Sequence, residues 1–123
     1  MKRSMDIIRK ILMYVEENSS AGGFVDIDID NIDKRELQYH VSLCVEAGLL
    51  DGVDANYIGS GMNKLYAIQN LTWNGHEFLD AVRSEGIWNT AKQRIVDEGG
   101  SFTFEILRQI AVATIKSKLG IDW

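Results

Sequence analysis

His40 and Cys44 stand four residues apart, a spacing that stacks two ligand-bearing side chains on one side of a helix. Two chemistries use such a pair. Zinc takes imidazole and thiolate, but a structural zinc wants four ligands. His76 and Glu77 are the further candidates, and no Cys-x-x-Cys or His-x-x-x-His accompanies them. A Cys–His nucleophile needs an oxyanion hole and a group that orients the imidazole, and the pattern supplies neither. The expectation is a buried thiol near a hydrogen-bonded imidazole. Asp26, Asp28 and Asp30 occupy positions one, three and five of a calcium loop. Position six is then Asn31 where glycine is needed, and position twelve is Leu37 where a bidentate Glu is needed. His76-Glu77 is followed by Asp80 where a metalloprotease has its second His. Gly59-Ser-Gly61 lacks the Lys-Ser/Thr of a phosphate loop. The chain is therefore expected not to be an enzyme and to use no metal or cofactor.

A different chemistry is written on the residues around His40. Lys34, Arg35, Gln38, Tyr39 and Ser42 recur at helical spacing, and these side-chain types hold phosphates or read base edges. Leu37, Val41 and Cys44, with His40 and Ala47 beside them, fall on the other side as an apolar stripe. Asp33 is placed to cap this helix, with Glu36 three residues on to complete a capping box. Gly48 supplies the left-handed stop, and Leu49-Leu50 begins a strand. A helix, a glycine stop and a strand are how the third helix of a winged helix-turn-helix runs into its wing.

The other elements must position that helix. Ser4 to Asn18 predicts a first helix, with Met5, Ile8, Leu12 and Val15 inward and Ile7 and Ile11 widening the stripe. Phe24 to Asp30 alternates, with Val25, Ile27 and Ile29 on one side and the three aspartates on the other. That period predicts a half-buried strand with an acidic edge. Only Asn31 and Ile32 separate it from Asp33, so the second helix of the motif is cut to a turn or merged with the strand. Leu49 to Val53 and Lys64 to Leu71 predict the wing, with Asn63 and Lys64 as phosphate contacts near its tip. Thr72 caps a helix through about Arg83 with Phe78, Leu79 and Val82 inward. Gly75 in its opening turn suggests the close approach of another element. Ser84 to Gly86 interrupts, a short helix with Ile87, Trp88, Ala91 and Ile95 follows, and a last helix runs from Thr103 to Leu119. On it Phe104, Leu107, Ala111 and Ile115 form one stripe, and Ile106 and Ile110 form a second. With Trp123, Ile106 and Ile110 are the candidate homodimer contacts.

The expected fold is α+β: a winged helix-turn-helix-like core with a small antiparallel sheet over residues 1–84, and a C-terminal helical extension over 85–123, in one domain. At 123 residues the chain buries a sizeable core unaided. One cysteine excludes an intrachain disulfide and fits a reducing compartment. No apolar run spans a bilayer, and Asp6, Arg9 and Lys10 interrupt any leader-like start, so no membrane association and a cytoplasmic location are expected. The net charge of −5 opposes nucleic-acid binding, because phosphate neutralisation carries much of such affinity. Two partners follow: double-stranded DNA, if the face around Arg35 is locally basic, or another protein, if the fold serves protein interaction.

Five blocks carry a family resemblance: Met1-Lys-Arg-Ser-Met-Asp-Ile-Ile-Arg9, Tyr39-His40, Glu46-Ala-Gly-Leu-Leu50, Leu71-Thr-Trp-Asn-Gly-His-Glu-Phe-Leu-Asp-Ala-Val-Arg83 and Trp88-Asn89. On them the chain resembles a family of small bacterial and prophage-encoded proteins classed as a domain of unknown function. The resemblance implies a winged-helix-like core often encoded near phage genes, so that a protein partner would be a host or phage protein, and it implies no particular activity. The looser Leu-Thr-x-x-Gly pattern after a wing is similar to that of winged-helix regulators, which implies a DNA-binding, regulatory role.

Overall fold

Ser4 opens the first element. Its side chain accepts a hydrogen bond from Ile7 N at 3.4 Å, and helix α1 runs over Met5–Asn18. Met5, Ile8, Ile11, Leu12 and Val15 are buried at helical spacing. The computed structural model describes residues 1–54, 66–97 and 103–120, except the side chain of Phe104. Among these are five helices and one two-stranded antiparallel sheet, an α+β arrangement. The chain divides into two compact units, Met1–His76 and Glu77–Trp123.

In the first unit, the expected strand over 24–30 is reduced to a single antiparallel bridge, Val25 with Ile68, closed by Val25 N donating to Ile68 O at 2.7 Å. The alternation survives in the burial, with Val25, Ile27 and Ile29 half-buried and Asp26, Asp28 and Asp30 exposed. Period-two patterning sets which side faces inward, but a strand also needs a run of ladder bonds to a neighbour. The segment ends in a turn at 30–31, where Asn31 has φ 67°, a left-handed conformation that Asn tolerates. This turn, and no helix, stands between the extended segment and Asp33.

Helix α2 follows over Lys34–Glu46. Its start differs from expectation, because Asp33 occupies the cap position without any side-chain capping bond. The helix begins through backbone alone, Leu37 N donating to Asp33 O at 2.8 Å, and the exposed carboxylate acts only through its charge at the positive helix end. Gly48, at φ 73°, stops the helix as its spacing suggests. Strands β1 (Leu50–Asp54) and β2 (Tyr66–Leu71) pair antiparallel with Leu50 opposite Leu71 and Asp54 opposite Tyr66. The register shifts between Asp51 and Gly52, whose partners are Asn70 and Ile68, so Gln69 is the extra residue of a bulge. Ile68 and Leu71, three apart, would point to opposite faces of a regular strand; the bulge lets both be buried. Helix α1 packs against α2 and β2, and α2 against β1.

Helix α3 (Trp73–Val82) starts from Thr72. The Thr72 hydroxyl accepts from Gly75 N at 3.0 Å and donates to Gly48 O, while Thr72 N donates to Leu49 O at 3.1 Å. The start of α3 is thus tied to the start of β1. A Cβ on Gly75 would sit 2.1 Å from Leu49 O, so the close approach suggested by this glycine is to backbone.

In the second unit, α4 spans Glu85–Asp97 and α5 spans Phe104–Leu119, and the two pack together. Ser84, expected in a break, is instead a cap: its hydroxyl accepts from Ile87 N at 3.3 Å and its carbonyl from Trp88 N at 2.9 Å. Thr103 caps α5 by accepting from Ile106 N at 3.2 Å, and Gly120 ends it at φ 69°. Phe78, Leu79, Ala81, Val82, Trp88, Ala91, Ile95, Leu107 and Ala111 are the buried apolar residues of this unit among those described.

Candidate nucleic-acid interface

At 100° per residue, Lys34, Gln38, Ser42, Arg35 and Tyr39 fall within about 140° of the circumference of α2. The structure leaves that arc open: Lys34, Arg35, Gln38 and Tyr39 are exposed and Ser42 is half-buried. The opposite side is buried through Leu37, His40, Val41 and Cys44. Both cationic groups stand in the first turn. Glu36 points to the flank of the helix, and the acidic residue that shares the arc, Glu46, is at the far end. The two wing contacts expected at Asn63 and Lys64 lie outside the described residues.

The helix is held in place by its buried histidine. His40 is 0% exposed, and both ring nitrogens meet backbone. Ser4 N donates to Nε2 at 2.8 Å, and Nδ1 lies 2.7 Å from Glu36 O. An amide can only donate and a carbonyl can only accept, so the ring carries its proton on Nδ1 and offers the Nε2 lone pair to Ser4. That lone pair is committed, and a metal ion has no access to it. His40 thereby bolts the first turn of α1 to α2. Sequence reasoning placed this residue on the apolar face but missed the bolt, because its key partner is a backbone amide 36 residues away. The Tyr39 ring meets the His40 ring edge-on, with centroids 5.3 Å apart and planes at 89°.

Cys44 is fully buried, and burial pushes its thiol up to about 12. A thiol so far from ionising is a poor nucleophile at neutral pH. His76 is exposed and lies 4.0 Å from Glu16, remote in role from the His40 bolt. Among the described residues, no group of three or more His, Cys, Asp or Glu side chains converges in a way that would hold a metal ion.

One feature beside the arc had no signal in the sequence. A cleft of about 160 Å³ is floored by Val25, Ile27, Leu37, Val41 and Ile68, with Gln38 on its edge. Of the candidate dimer contacts, Ile106 is 38% exposed and Ile110 half-buried, on one flank of α5; Trp123 lies outside the described residues.

The molecule is thus an α+β protein that presents an exposed, cation-tipped helix followed by a two-stranded hairpin. Its residues 2–101 match the family described as hypothetical protein (DUF2513), and the chain belongs to that family. A Haemophilus influenzae (strain ATCC 51907 / DSM 11121 / KW20 / Rd) protein described as an uncharacterized protein is 34% identical over 121 residues, covering 97% of this chain and 99% of that one. No solved structure matches the chain. Among the described residues, no helix is long and apolar enough to cross a membrane.

Proposed function

We propose that the unit Met1–His76 is a winged-helix-like module that binds duplex DNA through the exposed arc of α2, in a regulatory rather than catalytic role. The chain order supports this reading: helix, extended segment, turn, helix, hairpin. So does the pairing of Ile68, which meets Gly52 on one edge and Val25 on the other, placing β2 between the extended segment and β1. That is the strand arrangement of a winged helix. The observation that carries the function is the arc itself, with Lys34 and Arg35 in the first turn and Gln38, Tyr39 and Ser42 along it. Arg35 suits a bidentate contact to guanine, and Lys34 a phosphate.

The acid balance shapes the expected behaviour. Residues 1–76 contain 7 Lys or Arg and 11 Asp or Glu, so most of the −5 charge lies in this unit. Long-range attraction to DNA is weak in such a chain, and affinity rests on contacts at the arc. Fluorescence anisotropy of the full chain with labelled duplex DNA at low salt is expected to show binding. The Lys34→Ala/Arg35→Ala double variant should weaken it by at least about tenfold, since a bidentate arginine contact is worth about 1–3 kcal/mol. No binding at low salt, or equal binding by the double variant, refutes the reading.

A second reading has its own observation. Asp26, Asp28 and Asp30 are all exposed on one side of the extended segment, a negative edge that suits a basic protein partner. Loss of DNA binding in the first assay, together with capture of a partner that Asp26→Asn/Asp28→Asn abolishes, would favour this protein-interaction role.

A further inference from the structure

Helix α5 buries Leu107 and Ala111 completely. Its apolar surface does not stop there. Val112 and Ile115 remain half-buried and Leu119 is 66% exposed, all on one flank. Together with Ala81 they floor a groove of about 310 Å³ between α5 and the part of α3 that begins at Glu77. Ile106 and Ile110, the contacts expected from the sequence, lie on the opposite flank of α5 and take no part in it.

The two walls of the groove carry opposite charge. Glu77 and Asp80 stand on the α3 side, Arg108 and Lys116 on the α5 side. Asp80 also takes Arg83 at 2.8 Å, an exposed pair within one helix that contributes little by itself. The remaining carboxylate of that wall is Glu77, and it faces the Arg108 wall across an apolar floor. A partner segment of one sign would be attracted by one wall and repelled by the other. A second copy of the chain meets both conditions at once. A half-turn about an axis along the groove sets the α5 wall of each copy against the α3 wall of the other, while Val112, Ile115 and Leu119 of the two copies close on each other.

The geometry points to this groove as an isologous homodimer interface, with a second copy of this chain as its occupant. The inference is independent of the DNA reading, since none of these residues lies on the arc of α2.

Sedimentation equilibrium on the full chain tests it. The wild type is expected to associate to a dimer. Val112→Glu, a substitution that keeps helix propensity and puts a charge on the groove floor, should weaken association by more than about tenfold, with an unchanged circular dichroism spectrum. Glu77→Lys sets a cation on the α3 wall against Arg108 of the second copy, and Arg108→Glu sets an anion on the α5 wall against Glu77 of the second copy, so each variant alone should be mainly monomeric. An equimolar mixture of the two should recover dimer, because opposite walls then face each other again. This rescue separates an interface role from any effect on folding. A wild type that stays monomeric at all concentrations overturns the inference. So does a dimer that Val112→Glu leaves intact, or charge variants that do not rescue one another.

Discussion

Replacing Gly75 with alanine puts one methyl group against a backbone carbonyl. The added Cβ would lie 2.1 Å from Leu49 O, 3.0 Å from Leu49 C and 3.3 Å from the Leu71 Cβ. Ordinary carbon–oxygen contact is more than an ångström longer than the first of these, and backbone cannot rotate away as a side chain can. Moreover, Leu49 O already accepts from Thr72 N at 3.1 Å, so displacing it strains the junction that ties the start of α3 to the start of β1. Overpacking of this kind costs about 1–3 kcal/mol, and a weakened buried hydrogen bond adds about 1 kcal/mol. The gain in helix propensity offsets about 1 kcal/mol. The net expectation is a loss of about 1–3 kcal/mol. Gly86 is the internal control. It also lies in the first turn of a helix, but its nearest neighbour is the Ser84 Oγ at 3.7 Å, an ordinary contact. Gly86→Ala should stabilise by about 0.5–1 kcal/mol. Urea unfolding monitored by circular dichroism measures both. A Gly75→Ala protein as stable as wild type, or losses of equal size at the two sites, would refute the close-approach argument.

Three further outcomes are expected. His40→Ala removes a fully buried ring and leaves Ser4 N without its acceptor; it should cost about 3 kcal/mol in the same unfolding assay. Cys44 should resist thiol reagents at pH 8 until the chain is unfolded. Its thiol, at 9.0 when unperturbed and about 12 in the fold, adds no pH dependence below about pH 9. Above that the unfolded chain ionises first, so the stability this group contributes is lost as pH rises toward about 12. The stability difference between wild type and Cys44→Ala should therefore shift by about 1.4 kcal/mol against wild type between pH 8 and pH 10. Finally, Thr103→Ala should cost about 1 kcal/mol because its hydroxyl caps α5, whereas Asp33→Ala should cost only a few tenths, because Asp33 makes no capping bond. Equal costs at the two caps would contradict the assigned geometries.

What was legible in the chain was short-ranged. The stripes of α1 and α2, the hairpin, the Thr72 cap and the Gly48 stop all follow from neighbours within a turn or two. The five arc residues of α2 were legible for the same reason, since helical period alone sorts a polar side from an apolar one. Ser84 was misread because Ser-x-Gly suits a turn and a helix start equally well, and only the Ile87 amide decides between them.

The sequence by itself determined the helices, their inward faces and the cationic tip of α2, because backbone periodicity and capping are settled by residues close in the chain. Tertiary structure alone decided that 24–30 is an extended segment with one bridge, that the imidazole of His40 joins α1 to α2, that Gly75 yields to Leu49 O, and that α5 keeps an apolar flank uncovered. Each of these depends on which distant backbone or side chain arrives opposite a residue. That is set by the packing of all elements together, where many local patterns are compatible with more than one partner.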